Sequence, residues 1–363
     1  MNSPMRLLII TQKIDKSDDL LGFMHAWIEA FARSLESVIA LGLYRGIVTL
    51  PANVKVVSLG KEKLRGIGKV GARILYLYRF YRTIWQERKN YDAVFVHMNY
   101  EYVILGGLFW RLWGKRIGLW YAHGYVPPTL HIAHWFAHDV FTSTVSGFRI
   151  ETPKKHVIGQ AIDTSLFAPA HRDDDGIFRI AVFGRISPAK DHETLVRAVG
   201  ILRDQGRKVE VLVIGKPAIP EDHAYLARVK KLIADKRLEE SFVYKGAIAN
   251  RELPPHLQSC DISVNVGKTG SLDKAVLEAM SVGLPILTCN EALAEVLGDE
   301  TDSLMFPKEN AGELARKMAF LMDKEKTDLR GLGQKLRAIV VEHHSLATFP
   351  SRVLGYLDTK KNG

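Results

Sequence analysis

Cysteine is scarce in this chain: 363 residues carry two, Cys260 and Cys289. Two such residues make no disulfide framework, so the fold has to rest on a buried core. Long apolar runs are lacking too. The longest, YVILGGLFW at 102–110, is far shorter than a bilayer span and is followed by Arg111. The first residues, MNSPMRLLIITQKIDK, read as a buried strand and not as a leader. The expected compartment is therefore the cytoplasm, with a peripheral position on the inner face of the cytoplasmic membrane as its extension. Internal repeats and low-complexity tracts are missing as well, which excludes solenoid and linker-type architectures.

Apolar residues make up 47% of the chain and charged residues 25%, enough for two ordinary globular domains. The net charge of +10 is unevenly placed. Residues 1–170 hold 21 Lys and Arg against 12 Asp and Glu, while the remainder is nearly balanced at 29 against 28. Between 61 and 89 alone there are nine basic and two acidic residues. Within that stretch Val70, Ile74, Leu77, Tyr81 and Ile84 recur at helical spacing and predict one apolar face. Lys69, Arg73, Arg79 and Arg82 surround it, with Tyr76 and Phe80 among them. A basic helix with exposed aromatics suits an anionic membrane surface. A solvated helix with a buried stripe is the competing reading. Nucleic acid is not expected, because no groove-reading or stacking module accompanies the charge.

Strand and helix patterns alternate. Short β-rich runs fall at 7–11, 54–58, 93–97 and 117–121, then at 179–183, 209–214, 242–244, 262–266 and 285–288. Such alternation predicts parallel sheets covered by helices on both faces. The polar stretch PAHRDDDG at 169–176 reads as the linker. The expected organisation is 1–168, 169–345, and a carboxy-terminal helix in 346–363 crossing back to the first domain.

Two segments carry chemistry. In FGRISPAK at 183–190, Gly184 turns the chain out of a strand, and Arg185 and Lys190 follow as candidate clamps for a diphosphate. In TGSLDKAVLEAMSVGLP at 269–285, Gly270 permits close backbone approach and Ser271 is the expected N-cap of a helix over 272–282. Lys274 opposes the dipole of that helix. Glu278 is a lone carboxylate on a buried helix, and ribose hydroxyls are one source of its partners; a neighbouring Lys is the other.

On these residues the chain resembles the retaining glycosyltransferases of family 4, over nearly its whole length. FGRISPAKDHETLVRAV is similar to the family's donor-phosphate segment and puts Arg185 and Lys190 in that role. LEAMSVGLPIL resembles the second half of its Glu-x7-Glu motif, with Glu278 as the ribose carboxylate. YKGAIANRELPPHLQSCDISVNVG resembles the segment that carries the base, near Gly246 and Ala247. GQAIDTSLFAP resembles the turn before the second domain. The resemblance implies an α/β GT-B fold, two Rossmann-like doubly wound domains facing each other across a cleft. It implies a nucleotide sugar as donor, a glycan or lipid-linked acceptor of cell-surface polysaccharide or glycolipid biosynthesis, and no metal or other cofactor. The stretch Gly270, Ser271, Leu272, Asp273 and Lys274 would face phosphate and sugar. Gly22 and His123 would belong to the opposite domain, His123 near the donor sugar, with His25 a further candidate and His97 a weaker one. His131, His134 and His138 share helical spacing without a carboxylate partner, and no metal is expected there.

The chain departs from the pattern at one position. The first acid of the motif falls on Gly270, and Asp273 is the nearest carboxylate able to replace it. A catalytically silent nucleotide-sugar binder, and a basic membrane-surface protein, are the readings from other classes.

Overall fold

The structure is a computed structural model that describes residues 3–18, 21–63, 68–172, 175–268, 270 and 272–358. It divides into two compact units, the first formed by 1–161 with 346–363 and the second by 162–345. The division precedes the stretch read as a linker. Ile162 bridges to Ser345, and Ile162 and Phe167 are both buried in the second core, so 162–168 pack with the second unit.

Among the described residues the first unit is built on seven parallel strands: β1 (Ser3–Ile14), β2 (Leu35–Arg45), β3 (Val54–Ser58), β4 (Ala93–His97), β5 (Arg116–Trp120), β6 (Asp139–Thr142) and β7 (Lys155–Val157). Their order is β3-β2-β1-β4-β5-β6-β7. Its helices are α1 (Phe23–Ser34), α2 (Lys69–Gln86), α3 (Glu101–Leu112) and α4 (Pro128–Phe136). A strand covered on both faces has no solvent side, hence the unbroken apolar run of β1. Leu7 and Ile9 enter one core with α1, and Leu8 and Ile10 enter the other with α2, α3 and α4.

The described residues of the second unit form five parallel strands: β8 (Arg179–Phe183), β9 (Glu210–Ile214), β10 (Phe242–Gly246), β11 (Ile262–Asn265) and β12 (Ile286–Thr288), in the order β10-β9-β8-β11-β12. Its helices are α5 (His192–Asp204), α6 (Pro220–Asp235), α7 (Pro254–Gln258), α8 (Lys274–Ser281), the short α9 (Ala294–Leu297) and α10 (Thr301–Leu304), α11 (Ala311–Met322) and α12 (Lys326–His343). The last helix, α13 (Phe349–Leu357), packs on the first unit against α1, β5 and β6. Phe349 lies fully buried, 4.4 Å from the ring of Trp27 and 5.2 Å from that of Trp120, centroid to centroid.

Three strands of the first unit, β2, β6 and β7, fall where the sequence pattern predicted none. The face of α2 is also different from the expected one. Phe80 and Ile84 enter the core, whereas Val70, Ile74, Leu77 and Tyr81 are exposed. Helical spacing identified a stripe, but a second apolar face, through Phe80 and half-buried Tyr76, is the one that packs.

Candidate active site

In a doubly wound sheet the strand order reverses once on either side of the first strand, and the loops that diverge there leave a crevice at the carboxyl ends. In the second unit this switch lies between β8 and β11. The loop after β8 carries Gly184, Arg185 and Lys190; the loop after β11 leads through Gly270 and Asp273 into α8. The amide of Lys268 donates to the carbonyl of Ala189 at 3.0 Å and ties the two loops together.

The Lys190 ammonium lies on the carboxylate of Asp273. Asn265, last residue of β11, donates its side-chain amide to the same carboxylate at 2.8 Å. The Asn265 side-chain Oδ1 accepts from the amide of Gly267 and the hydroxyl of Thr288, both at 3.3 Å. The other oxygen of Asp273 accepts from the amide of Ala275 at 3.2 Å, which makes Asp273 the N-cap of α8. Burial alone would raise the Asp273 carboxyl; Lys190, Asn265 and the Ala275 amide outweigh it and hold that carboxyl below its usual range.

Two expectations are corrected here. The helix begins at Lys274 rather than at 272, and its cap is Asp273 in place of Ser271, which lies outside the described residues. Asp273, the acid read as a substitute for the one missing at Gly270, is already committed to a lysine, an asparagine and a helix amide. Leu272 is buried in the core. Gly270 has φ +65° and open space around its Cβ direction, so conformation and not crowding favours glycine there.

Glu278 is buried, with 5% of its surface exposed. Its carboxylate accepts from the side-chain amide of Asn250 at 2.8 Å and pairs with Lys274 at 3.0 Å, one turn earlier on α8. The pair explains why a lysine is tolerated in the first turn. Asn250 comes from the segment after β10, just beyond Gly246 and Ala247, which are both exposed. That segment and α8 are thereby joined through Glu278.

Arg185 is half-exposed and directs its Nε to the carboxylate of Asp222 at 2.8 Å. Asp222 also accepts from the amide of Ala218 at 3.1 Å, at the start of α6. Burial pushes the Asp222 carboxyl up, but these donors prevail and lower it. Lys268 is a further cation of the β11 loop, paired with Asp191 at 3.1 Å and with Glu309. Sequence reasoning missed Asp222, Asn250 and Asn265. Asn265 left a signal, a polar amide closing a buried strand.

In the first unit the switch lies between β1 and β4. Gly22 precedes α1, and its amide donates to the carbonyl of Asp18 at 3.1 Å. A Cβ at this position would lie 2.4 Å from that carbonyl oxygen, so the glycine is required by its own loop. His123 follows β5 and is exposed. Its Nδ1 accepts from the amide of Tyr125 at 3.0 Å, which in the neutral ring leaves the proton on Nε2 as an outward donor.

His25 is not an open cleft residue. It is buried, and its Nε2 accepts from the amide of Thr49 at 3.0 Å. His97 is likewise buried, edge-on to Trp27 at 5.4 Å and Phe23 at 5.8 Å. His134 and His138 are held by separate partners. His134 bonds the hydroxyl of Thr152 at 2.9 Å, and His138 Nδ1 accepts from the amide of Ile117 at 3.0 Å.

Residues 177–324 match the sequence model of the family described as glycosyl transferases group 1. The second unit is a glycosyl transferases group 1 domain. The matched stretch takes in the β8, β10 and β11 loops and extends through α11. A 2-deoxystreptamine glucosyltransferase of Streptomyces kanamyceticus is 29% identical over 145 residues, 40% of this chain and 36% of that protein. A D-inositol 3-phosphate glycosyltransferase of Paenarthrobacter aurescens (strain TC1) is 23% identical over 194 residues, 50% of this chain and 47% of its own. The matches thus span less than half the length of these curated relatives.

Solved structures show the fold over the whole chain. A glycosyltransferase from Rickettsia africae ESF-5 superposes with a TM-score of 0.77 at 15% identity, covering 99% of both chains. HepE of Anabaena, in complex with UDP and glucose, does so with a TM-score of 0.75 at 14% identity, covering 98% of this chain and 100% of its own. The fold of the group 1 domain and its companion is GT-B.

Proposed function

We propose that this protein is a retaining glycosyltransferase of family 4. It transfers a sugar, of hexosyl type, from a nucleoside-diphosphate sugar to a glycan or lipid-linked acceptor. The observation that carries the reading is the set of side chains on the elements that leave the β8–β11 switch point of a group 1 domain: Arg185 and Lys190 on the loop after β8, Asp273 on the loop after β11, and Glu278 on the helix α8 that follows it. Two cations beside a strand's carboxyl end suit a diphosphate, and a buried carboxylate bridged to the β10 segment suits a ribose.

In this mechanism bond breaking puts negative charge on the departing diphosphate, and Arg185 and Lys190 stabilise it. Glu278 accepts from the ribose hydroxyls, with Lys274 and Asn250 orienting its carboxylate. Gly184, Gly246, Ala247 and the stretch from Gly270 to Lys274 supply backbone close to the donor. His123, with its Nε2–H directed outward, is assigned to a sugar hydroxyl, and Gly22 to the approach of its loop to the phosphates. The acceptor hydroxyl attacks from the face the nucleotide leaves, so no protein nucleophile is required. Neither a metal nor a further cofactor enters the scheme.

A thermal-shift panel of nucleotide sugars, followed by a donor-hydrolysis and transfer assay with the best binder, tests it. Arg185→Ala, Lys190→Ala and Glu278→Gln are each expected to abolish turnover in a folded protein. Near-wild-type rates in all three would refute the assignment. A nucleotide-induced shift with no turnover of any donor would instead favour the silent binder, for which the glycine at 270 is the specific observation.

A further inference from the structure

The face of α2 turned away from the core is apolar and cationic at once. Val70, Ile74, Tyr78 and Trp85 succeed one another along it and are exposed, Val70 by 71%. The helix holds Lys69, Arg73, Arg79 and Arg82 and no carboxylate. Arg79 is occupied with the carbonyl of Leu59 at 2.7 Å, while Arg73 and Arg82 are exposed beside the apolar row.

The apolar surface continues beyond α2. The ring of Trp85 meets that of Trp113, and Tyr81 meets Phe109, both at 5.7 Å between centroids. Tyr78, Trp85, Phe109 and Trp113 line an open groove of about 470 Å³. On α3, Leu112 is 73% exposed; on α4, Trp135 is 69% exposed and Ile132 lies near it in the helix. Arg111 links these two helices by donating to the carbonyl of Phe136 at 2.9 Å. Arg88 lies over the ring of Trp85 at 4.6 Å. Large apolar side chains on three neighbouring helices, rimmed by arginines, form a patch that a soluble monomer rarely leaves open.

We infer that this three-helix face docks the protein on an anionic lipid bilayer. The charge decides the occupant. Its sign is uniform: α2 carries four cations and no carboxylate, and 61–89 hold nine basic residues against two acidic ones, so the occupant is an anionic surface. A phosphate-bearing headgroup layer over hydrocarbon satisfies both chemistries. Tryptophan and tyrosine settle at the headgroup level, Leu112, Val70 and Ile74 reach below it, and arginines stay among the phosphates. Every residue of this face belongs to the first unit, so the docking is independent of the donor chemistry.

The test is co-sedimentation of the whole protein with vesicles of phosphatidylcholine mixed with phosphatidylglycerol, and with phosphatidylcholine alone. Binding to the mixed vesicles, weakened by salt, is expected. Each cation removed near such a surface weakens partition by about fivefold, so Arg73→Glu with Arg82→Glu should weaken it by about 25-fold or more. Trp85→Ser with Leu112→Ser should weaken it as well and reduce the blue shift of tryptophan emission on vesicle addition. Both pairs change exposed positions and should keep the wild-type melting temperature and any nucleotide-induced shift. That shift reports on the second unit, so a failed donor assignment is distinguished from a failed docking face. Absence of binding to the mixed vesicles, or undiminished binding by both pairs, overturns the inference. A wild-type dimer that both pairs convert to monomer also overturns it, by assigning the face to a second copy of the chain.

Discussion

The carboxylate of Asp273 holds the ammonium of Lys190, across the two loops that diverge at the β8–β11 switch point. A cation assigned to a diphosphate therefore already has an anion of the protein's own. An incoming phosphate has to take Lys190 from Asp273 or share it. Asp273→Asn keeps a competent N-cap and frees the lysine. Affinity for a nucleoside diphosphate is expected to rise by about tenfold, the scale of one charge-assisted hydrogen bond. Isothermal titration with wild type and variant measures it, and an unchanged or weaker affinity would contradict it.

Glu278 gives the reciprocal expectation. Glu278→Gln keeps shape and volume but replaces the carboxylate that pairs with Lys274 and Asn250 by an amide. Affinity for the nucleoside should fall by about tenfold or more if one charge-assisted bond to ribose is lost. The loss should be smaller for the deoxyribose analogue, which has fewer hydroxyls to offer. Equal losses for the two would separate Glu278 from the ribose.

Restoring the motif's first acid should not come free. Gly270 has φ +65°, so Gly270→Glu forces a side chain into the left-handed region at roughly 1–2 kcal/mol. Gly270→Asn should be tolerated better. Chemical denaturation of the two variants gives the comparison, and a fully stable Gly270→Glu would show that the turn relaxes.

Two histidines contribute to the response to acid. Burial pushes His192 down from 6.5 to about 4, and His138 to about 4, the latter helped by Arg111 and Arg116. Above 6.5 both are neutral in folded and unfolded chains alike. As the pH falls from there towards 4, the unfolded chain takes up protons and the folded one does not, so stability is lost across that window. The loss for buried His192 is on the order of 3 kcal/mol, and for half-buried His138 less. Melting temperature against pH for wild type and His192→Phe should diverge below 6.5, the variant falling less steeply; parallel curves would exclude this histidine.

Phe349 anchors the last helix. Its ring is packed among those of Trp27, Trp120 and Phe95 in the first unit. Phe349→Ala should destabilise that unit by about 3–5 kcal/mol. Limited proteolysis should then cleave the first unit before the second, and preferential cleavage within 162–345 would contradict it.

Much of this fold is legible in the sequence because buried parallel strands are continuous apolar runs. The strands from β8 to β12 fall within a few residues of their predicted positions. Strand β2 was hidden because α1 passes into it at Leu35 without glycine or proline, so no local signal separates helix from strand. Strands β6 and β7 begin on Asp139 and Lys155, and His156 is polar too, so neither reads as an apolar run. Periodicity also misassigned α2, since a helix with two apolar faces leaves the choice of the packed one to tertiary structure. At the candidate site, residue types marked Arg185, Lys190 and Glu278. Their pairing with Asp222, Asp273 and Asn250 joins positions 28 to 83 residues apart, which spacing cannot reveal.

The first unit is written in two pieces, 1–161 and 346–363, with the whole second unit between them. During synthesis its sheet emerges first, yet α13 reaches the ribosome's exit only after residues 162–345 have passed. The second unit, encoded in one piece, is free to finish folding while the earlier one still exposes the surface that Phe349 and Val353 will cover. The domain begun first is completed last, and its aromatic core waits longest for its lid.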